Sequence, residues 1–239
     1  MKRNTTYRKA IWLLAVFLGA NILLKLFFFE IYHVGGNSMY PTLLDGDYVL
    51  VSKCSYGLRL PRTVLEIPWI NQFLYYTLPA SWLEKRVPAP HTAWKCVGYR
   101  SARVGEVITF HLPFHPRIVN VKRVVDTPET RPGLIPGKET VVDSDTLRHL
   151  SCRLEEMYGK DILALVADGC QTKAKKGAAA WAFRHAYYFV TGDNAEASTD
   201  SRQWGLLQEN YIIGKAVCIL FSLDADNHWR KERTFRRIH

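Results

Sequence analysis

The sequence lacks any pair of closely spaced cysteines. Without a C-x-x-C motif, a thioredoxin-like redox site and a compact zinc knuckle are both excluded. The number of cysteines is odd, so at least one thiol cannot pair within the chain. They are scattered over the 239 residues as Cys54, Cys96, Cys152, Cys170 and Cys218.

Acidic residues are scarce relative to basic ones. The chain has 32 lysines and arginines against 22 aspartates and glutamates, a formal net charge of +10. Hydrophobic residues make up 48% and charged residues 23%, which excludes a disordered chain, a collagen-like chain and a coiled coil. The basic excess favours an anionic partner, and composition leaves nucleic acid, a phospholipid surface and an acidic substrate all open.

The N-terminal region contains no acid before Glu30 and includes a long apolar run. Only Asn21 and Lys25 interrupt residues 10–29, and twenty helical residues span about 30 Å, the thickness of a bilayer core. A cleavable signal peptide would have a shorter apolar core followed by an A-x-A-like site. We therefore predict an uncleaved transmembrane anchor over 10–29, a cytoplasmic basic N-terminus over 1–9, and the remainder across the membrane.

After the anchor the sequence is typical of a mainly β protein. Short segments rich in β-branched or aromatic residues are bounded by Gly, Pro, Asp or Asn, and this pattern predicts strands. The predicted strands cover 47–52, 106–110, 118–125, 187–190 and 211–217. Short helices are predicted at 143–159 and 174–186.

Two further segments leave alternatives open. Residues 64–83 are apolar but contain a glutamate and two prolines, which makes a second membrane span costly. They are predicted to form either an aromatic-rich loop at the bilayer interface or a packed insertion. The basic tail over 228–239 interleaves Trp229, Phe235 and Ile238 with arginines. It is predicted either to lie on anionic lipid or to form a solvated helix.

Four motifs follow one another behind the anchor, and none contains the G-x-S-x-G pattern of other hydrolases. They are Ser38-Met39-Tyr40-Pro41-Thr42 with Asp45-Gly46-Asp47, then Arg103-Val104-Gly105-Glu106-Val107-Ile108-Thr109-Phe110, then Val121-Lys122-Arg123-Val124-Val125, then Gly192-Asp193-Asn194 with Ser198-Thr199-Asp200-Ser201-Arg202-Gln203-Trp204-Gly205. In this order they resemble the type I signal peptidases, membrane-bound serine proteases that remove signal peptides. The resemblance covers about residues 8–55 and 100–220.

The resemblance implies a mainly β fold. An antiparallel β catalytic domain of the signal-peptidase type, with a smaller inserted domain, would follow one N-terminal transmembrane helix. The catalytic domain would comprise residues 30–126 and 187–222, with an aromatic-rich insertion at about 56–98. Residues 127–186 would form the inserted non-catalytic region, and residues 223–239 the basic C-terminal tail.

The resemblance also implies a Ser/Lys dyad, with Ser38 as nucleophile and Lys122 as general base. A serine hydroxyl is a weak nucleophile until a base takes its proton, and lysine normally titrates near ~10.4. Burial disfavours the ammonium form and lowers the pKa, and Lys122 lies in a strand of valines. Without the resemblance, Lys122 would be interpreted as an edge-strand lysine that guards against aggregation.

Supporting residues are implied by the same motifs. Ser198 would orient the amine of the catalytic lysine by a hydrogen bond. Two ion pairs, Asp193 with Arg123 and Asp200 with Arg202, would hold the closing loop against the lysine strand.

The resemblance places the oxyanion hole at the backbone N–H of Ser38, with Gly36, Asn37 and Met39 around it. Many relatives have a hydroxyl residue two positions before the nucleophile. This chain has Gly36 there, so the second oxyanion donor stays open.

The implied function is a single-pass endopeptidase of the cell (inner or cytoplasmic) membrane that acts on the periplasmic or extracytoplasmic side. Its partners would be phospholipid and exported preproteins with small residues before the cut, with no metal, cofactor or nucleic acid. A maturation peptidase of a secretion or conjugation system would use the same dyad, and a catalytically inactive membrane-tethered β binding module is a third alternative. Self-cleaving SOS repressors share the dyad but are soluble, and the 10–29 run disfavours them.

Overall fold

The structure is a computed structural model that describes residues 3–57, 59–60, 94–95, 100–113, 115–138, 140–158, 170–175, 178–183 and 185–239. Strands predominate over helices in these residues. The elements are α1 (Arg3–Phe27), β1 (Phe29–His33), β2 (Asp47–Ser52), β3 (Arg59–Leu60), β4 (Trp94–Lys95), β5 (Val107–Leu112), β6 (His115–Asp126), β7 (Val141–Asp143), α2 (Ser144–Tyr158), β8 (Cys170–Lys175), β9 (Ala178–Phe183), β10 (Tyr187–Thr191), α3 (Ser201–Trp204), β11 (Leu207–Gln208), β12 (Ile212–Ser222) and β13 (Arg236–Arg237).

The N-terminal helix α1 leads directly into the sheet. It ends at Phe27, and β1 begins two residues later. Its apolar side chains are solvent-exposed, including Ile11, Trp12, Leu13, Leu14, Val16, Phe17, Leu18, Leu23 and Leu24. Within the part of the chain that the structure describes, no helix combines the length and the apolarity required of a membrane span. The span predicted over 10–29 therefore stays a prediction.

One antiparallel sheet forms the centre of the molecule, as the mainly β prediction expected. Its strands run in the order β1-β2-β12-β5-β6-β10-β11, and β13 also pairs with β12. The central strands β5 and β10 are buried along most of their length, because apolar clusters pack on both faces. A rigid, buried sheet of this kind fixes the positions of the residues it carries, β6 included.

A smaller three-stranded sheet of order β7-β9-β8 lies within the predicted insertion over 127–186. The helix predicted at 143–159 is present as α2, but the prediction of a helix at 174–186 is wrong. That stretch belongs to the β8–β9 hairpin, in which Ala174 pairs with Ala179. Alanine has a high helix propensity, but tertiary pairing overrides so weak a preference. The segment 64–83 lies outside the described residues.

The tail over 228–239 is not a solvated helix, so this alternative is wrong. It forms a single 3₁₀ turn at Lys231–Arg233 and then the short strand β13. Arg233 and Ile238 are buried, because the tail folds back onto β12 and packs against the sheet. Trp229 and Phe235 remain exposed.

Candidate active site

The predicted nucleophile, Ser38, lies in the turn between β1 and β2. Gly36 enters this turn with a φ of +87°, a left-handed conformation that glycine adopts without a steric penalty, and its N–H donates to Asp45 Oδ1 at 2.9 Å. Met39 and Leu43 are buried in the core, and Leu43 N–H donates to the Met39 carbonyl at 2.9 Å. Anchored on both sides, Ser38 is held half-buried at the surface.

The predicted base, Lys122, comes from the middle of β6. It pairs with Ile108 of β5, and its side chain is only 1% exposed. Its Nζ donates a hydrogen bond to Ser38 Oγ at 2.7 Å, across 84 residues of sequence. The fold thus brings the hydroxyl and the amine together at a distance that permits direct proton transfer.

The environment of Lys122 favours the neutral amine. Burial lowers the pKa of Lys122 from its ordinary value of 10.5 to about 8. Asp200 and Asp193 oppose this by raising the pKa, while the guanidinium of Arg202 lowers it. Desolvation outweighs the nearby carboxylates because arginine partners largely neutralise them. Lys122 can therefore act as a base near neutral pH.

The loop after β10 closes over the Ser38 turn. Asn194 N–H donates to the Ser38 carbonyl at 3.1 Å. At Gly192, an added Cβ would lie 2.4 Å from that same carbonyl oxygen and 2.2 Å from Ser198 Oγ. Only glycine fits where the loop meets the Ser38 turn, which explains the glycine that begins the last sequence motif.

An ion pair links this loop to the lysine strand. Arg123 donates to Asp193 through both Nε and Nη2, at 2.7 and 2.8 Å. Burial alone would raise the pKa of Asp193, but hydrogen bonds from Arg123 and Thr42 lower it below its ordinary value. Thr42 donates to Asp193 Oδ2 and accepts from Arg123 Nη2. Sequence reasoning missed this role of Thr42, although the residue lies in the serine motif.

The second predicted pair, Asp200 with Arg202, is also present and bidentate, at 2.7 and 2.8 Å. Asp200 is fully buried and caps α3 through a capping box with Gln203. The spacing of an aspartate and a glutamine three residues later is the sequence signal for such a cap. Asp200 Oδ2 also accepts from Gly192 N–H at 2.8 Å, which fixes the two ends of the closing loop.

Ser198 differs from the prediction. Its hydroxyl donates to Asp200 Oδ2 at 2.7 Å, and no hydrogen bond joins it to Lys122, although the structure describes both residues. The buried carboxylate of Asp200 is the stronger acceptor, since a charge-assisted hydrogen bond is favoured over one with a neutral amine. Ser198 is therefore linked to the closing loop through Asp200, whose Oδ2 also accepts from the Gly192 N–H.

The backbone N–H groups expected around an oxyanion differ in whether they are free to donate a hydrogen bond. The N–H of Ser38 makes no hydrogen bond to any of the described residues, so it is free to donate to a ligand. The Gly36 N–H is already engaged with Asp45. Gly36 and Asn37 are exposed, whereas the side chain of Met39 is buried. The geometry thus supplies one free backbone donor at the nucleophile.

Among the residues that the structure describes, no group of potential metal ligands lies at this site. In the described ranges, the grouped ligand atoms are those of Asp224, Asp226 and His228, which lie in the turn that follows β12. The groups gathered at Ser38 are instead a hydroxyl, an amine and a backbone N–H.

A hydroxyl held against a buried amine, under a loop tied down by two arginine–carboxylate pairs, is the arrangement of a Ser/Lys hydrolase. The family model described as "Signal peptidase, peptidase S26" matches residues 7–221. The chain therefore belongs to the peptidase S26 family of signal peptidases.

Individual relatives agree with this assignment. The chain is 26% identical over 242 residues to a Signal peptidase I from Buchnera aphidicola subsp. Schizaphis graminum, covering 90% of this chain and 76% of the relative. It is 27% identical to that of Aquifex aeolicus over 90% of this chain and 84% of the relative. It is 29% identical to that of Bacillus caldolyticus over 85% of both.

Proposed function

We propose that this chain is a signal peptidase I, a serine endopeptidase that cleaves N-terminal signal peptides from exported preproteins. The observation that carries the proposal is the 2.7 Å contact between Ser38 Oγ and Lys122 Nζ, made by a lysine that is 1% exposed. An inactive binding module would have no need of a buried lysine against a serine, because burying an amine is costly.

In the proposed reaction, neutral Lys122 takes the proton of Ser38 as the hydroxyl oxygen attacks the scissile carbonyl. The Ser38 N–H stabilises the negative charge that develops on the carbonyl oxygen. The Lys122 ammonium then returns its proton to the leaving amine, and an acyl-enzyme forms on Ser38. Lys122, neutral again, activates the water that hydrolyses the acyl-enzyme.

We propose that the substrate binds as an added strand. β10 pairs with β6 only as far as Arg123, opposite Thr191. Between Ile118 and Lys122, that edge of β6 has no strand beside it among the described residues. An extended peptide could pair there and present its carbonyl to Ser38. From the family resemblance, small pockets would accept the residues one and three positions before the cut.

We also propose that α1 attaches the enzyme to the membrane, with the basic N-terminus cytoplasmic and the sheet on the extracytoplasmic side. The exposed apolar side chains of α1 and the acid-free stretch before Glu30 support this. The sheet packs without them, because the core clusters of the described residues include none from α1. Protease accessibility of a tag at each end, in sealed vesicles, tests the orientation.

The proposed function is tested by incubating the purified protein with a preprotein and mapping the product by mass spectrometry. Cleavage at a single site after a small residue, absent in Ser38→Ala, is the expected result. Thr199→Ala is the matched control, because it removes an exposed hydroxyl from the closing loop and should leave cleavage unchanged. A folded wild type that leaves every preprotein intact would refute the proposal.

A further inference from the structure

The tail beyond β12 contributes a buried arginine to the region of the nucleophile. Arg233 is 6% exposed and forms a two-point ion pair with fully buried Asp47, with Nε–Oδ1 at 3.0 Å and Nη2–Oδ2 at 2.6 Å. The two residues are 186 positions apart in sequence. Asp47 begins β2, directly after the turn that carries Ser38.

Arg233 also binds the main chain of that turn. Its Nη2 donates to the Thr42 carbonyl at 3.1 Å. Nearby, Arg230 Nη1 donates to the Asp45 carbonyl at 2.9 Å. Hydrogen bonds to backbone carbonyls restrain the path of the chain itself, whereas a side-chain ion pair alone would not. Both acceptors lie within the stretch that connects Ser38 to β2.

The same part of the tail shares an apolar cluster with the residue that follows Ser38 and accepts a hydrogen bond from the residue that follows Lys122. Ile238 belongs to the apolar cluster that contains Met39 and Leu43, and Met39 follows Ser38 directly. The main-chain oxygen of His239 accepts from Arg123 Nη1 at 2.7 Å, and Arg123 follows Lys122 directly. Residues 230–239, here called the tail segment, thus touch both the serine turn and the lysine strand.

We propose that Arg233 is a positioning residue for the peptidase reaction, holding the serine turn so that Ser38 stays within reach of Lys122. The inference rests on the proposed function and assigns a role to a residue outside the four sequence motifs. Arg233 acts through the Thr42 carbonyl and Asp47, and it touches neither Ser38 Oγ nor Lys122 Nζ. Because a displacement of about 1 Å at reacting atoms can cost about 100-fold in rate, a loosened turn should slow chemistry.

The test compares Arg233→Gln with Arg237→Gln, an exposed arginine of the same tail segment. We expect Arg233→Gln to lower kcat by about tenfold to 100-fold and to leave KM within about threefold. Lysine at 233 keeps one cationic donor but loses the fork, so Arg233→Lys should recover part of kcat. The pH midpoint should not move, because Lys122 is governed by burial, Asp200, Arg202 and Asp193.

Removing one partner of a buried ion pair leaves the other unpaired, which can unfold a protein. If Arg233→Gln does not fold, the double variant Arg233→Met with Asp47→Asn tests the inference instead. It removes both charges, so neither is left unpaired, and it also removes the donor to the Thr42 carbonyl. Thermal unfolding establishes the folded fraction of each variant. A folded variant with wild-type kcat would overturn the inference while leaving the peptidase function intact.

Amide hydrogen exchange provides a readout that is independent of turnover. In Arg233→Gln or the double variant, peptides covering residues 36–47 should exchange faster, while those from β6 should not change. Arg237→Gln should leave both protected. Unchanged exchange over 36–47 would overturn the positioning role of Arg233, whether or not the wild type cleaves a preprotein. A wild type that cleaves no preprotein would refute the proposed function separately.

Discussion

The pKa of Lys122 connects burial directly to reaction rate. Holding this pKa at about 8 instead of 10.5 corresponds to about 3 kcal/mol against the ammonium form. At pH 7 the neutral fraction is then about 9% instead of about 0.03%, a gain of about 300-fold in competent base. Since the base must be neutral, kcat/KM should rise with pH through about 8 and level off above it.

The substitution Arg202→Gln should change the pKa of Lys122. Arg202 lowers the pKa of Lys122, and Asp200 raises it, so loss of the guanidinium leaves the buried Asp200 carboxylate less neutralised. We expect the midpoint of the profile to move to higher pH. Activity should therefore fall most at about pH 7 and recover, at least in part, at about pH 10.

The assay is kcat/KM on a soluble signal-peptide substrate from about pH 5 to about pH 10.5, with Arg237→Gln as control. Arg202 also ties down the closing loop, so its loss can lower the plateau at every pH. Only a shift of the midpoint of the pH profile indicates a change in the pKa of Lys122. A wild-type midpoint near ~10, or an Arg202→Gln profile lowered without displacement, would refute the reasoning.

Four other outcomes are expected. Ser38→Ala and Lys122→Ala should each abolish cleavage, and the double variant should be no worse than either, because the two act as a unit; appreciable turnover by a single variant would exclude the dyad. Gly192→Ala should reduce both activity and melting temperature, since its Cβ would meet the Ser38 carbonyl at 2.4 Å; an unchanged melting curve would contradict this. Although burial raises the pKa of Glu106, hydrogen bonds from basic partners lower it from 4.5 to about 2. Ionised Glu106 should therefore stabilise the folded protein above pH 4.5, and this stabilisation should disappear as the pH falls towards 2. Denaturant titration at several pH values should detect the effect in the wild type and not in Glu106→Gln. Deleting residues 1–27 should leave peptide cleavage intact but slow cleavage of preproteins in lipid vesicles, since tethering raises effective concentration; equal losses on both substrates would show instead that α1 supports the fold.

Local patterns in the sequence were sufficient to predict the strand that carries Lys122 and the strand that pairs with it, whereas Ser38 lies in a turn. The strand predicted at 118–125 is part of β6, and the strand predicted at 106–110 overlaps β5. Alternation of β-branched residues with turn residues is a local signal, so it survives without tertiary information. The family resemblance then identified which lysine on β6 to pair with which serine.

Tertiary pairing decided the features that could not be predicted. The alanine-rich hairpin of β8 and β9 has no local strand signal, and its pairing forms only between the two arms. Ser198 donates to Asp200 because that carboxylate is buried beside it. The tail has the composition of a basic surface segment, and nothing near Arg233 in sequence indicates Asp47 as its partner.

The wide separation in sequence of the contacts around Ser38 bears on how the enzyme is made. Ser38 meets Lys122 over 84 residues, and Asp47 meets Arg233 over 186. Each of these contacts requires a long intervening segment of the chain to close, which costs conformational entropy, and such non-local pairing slows folding. A growing or partly folded chain would hold a serine and a lysine that have not yet met. We therefore expect proteolytic competence only once the central sheet has formed, because Lys122 lies on β6 and the loop that closes over Ser38 follows β10.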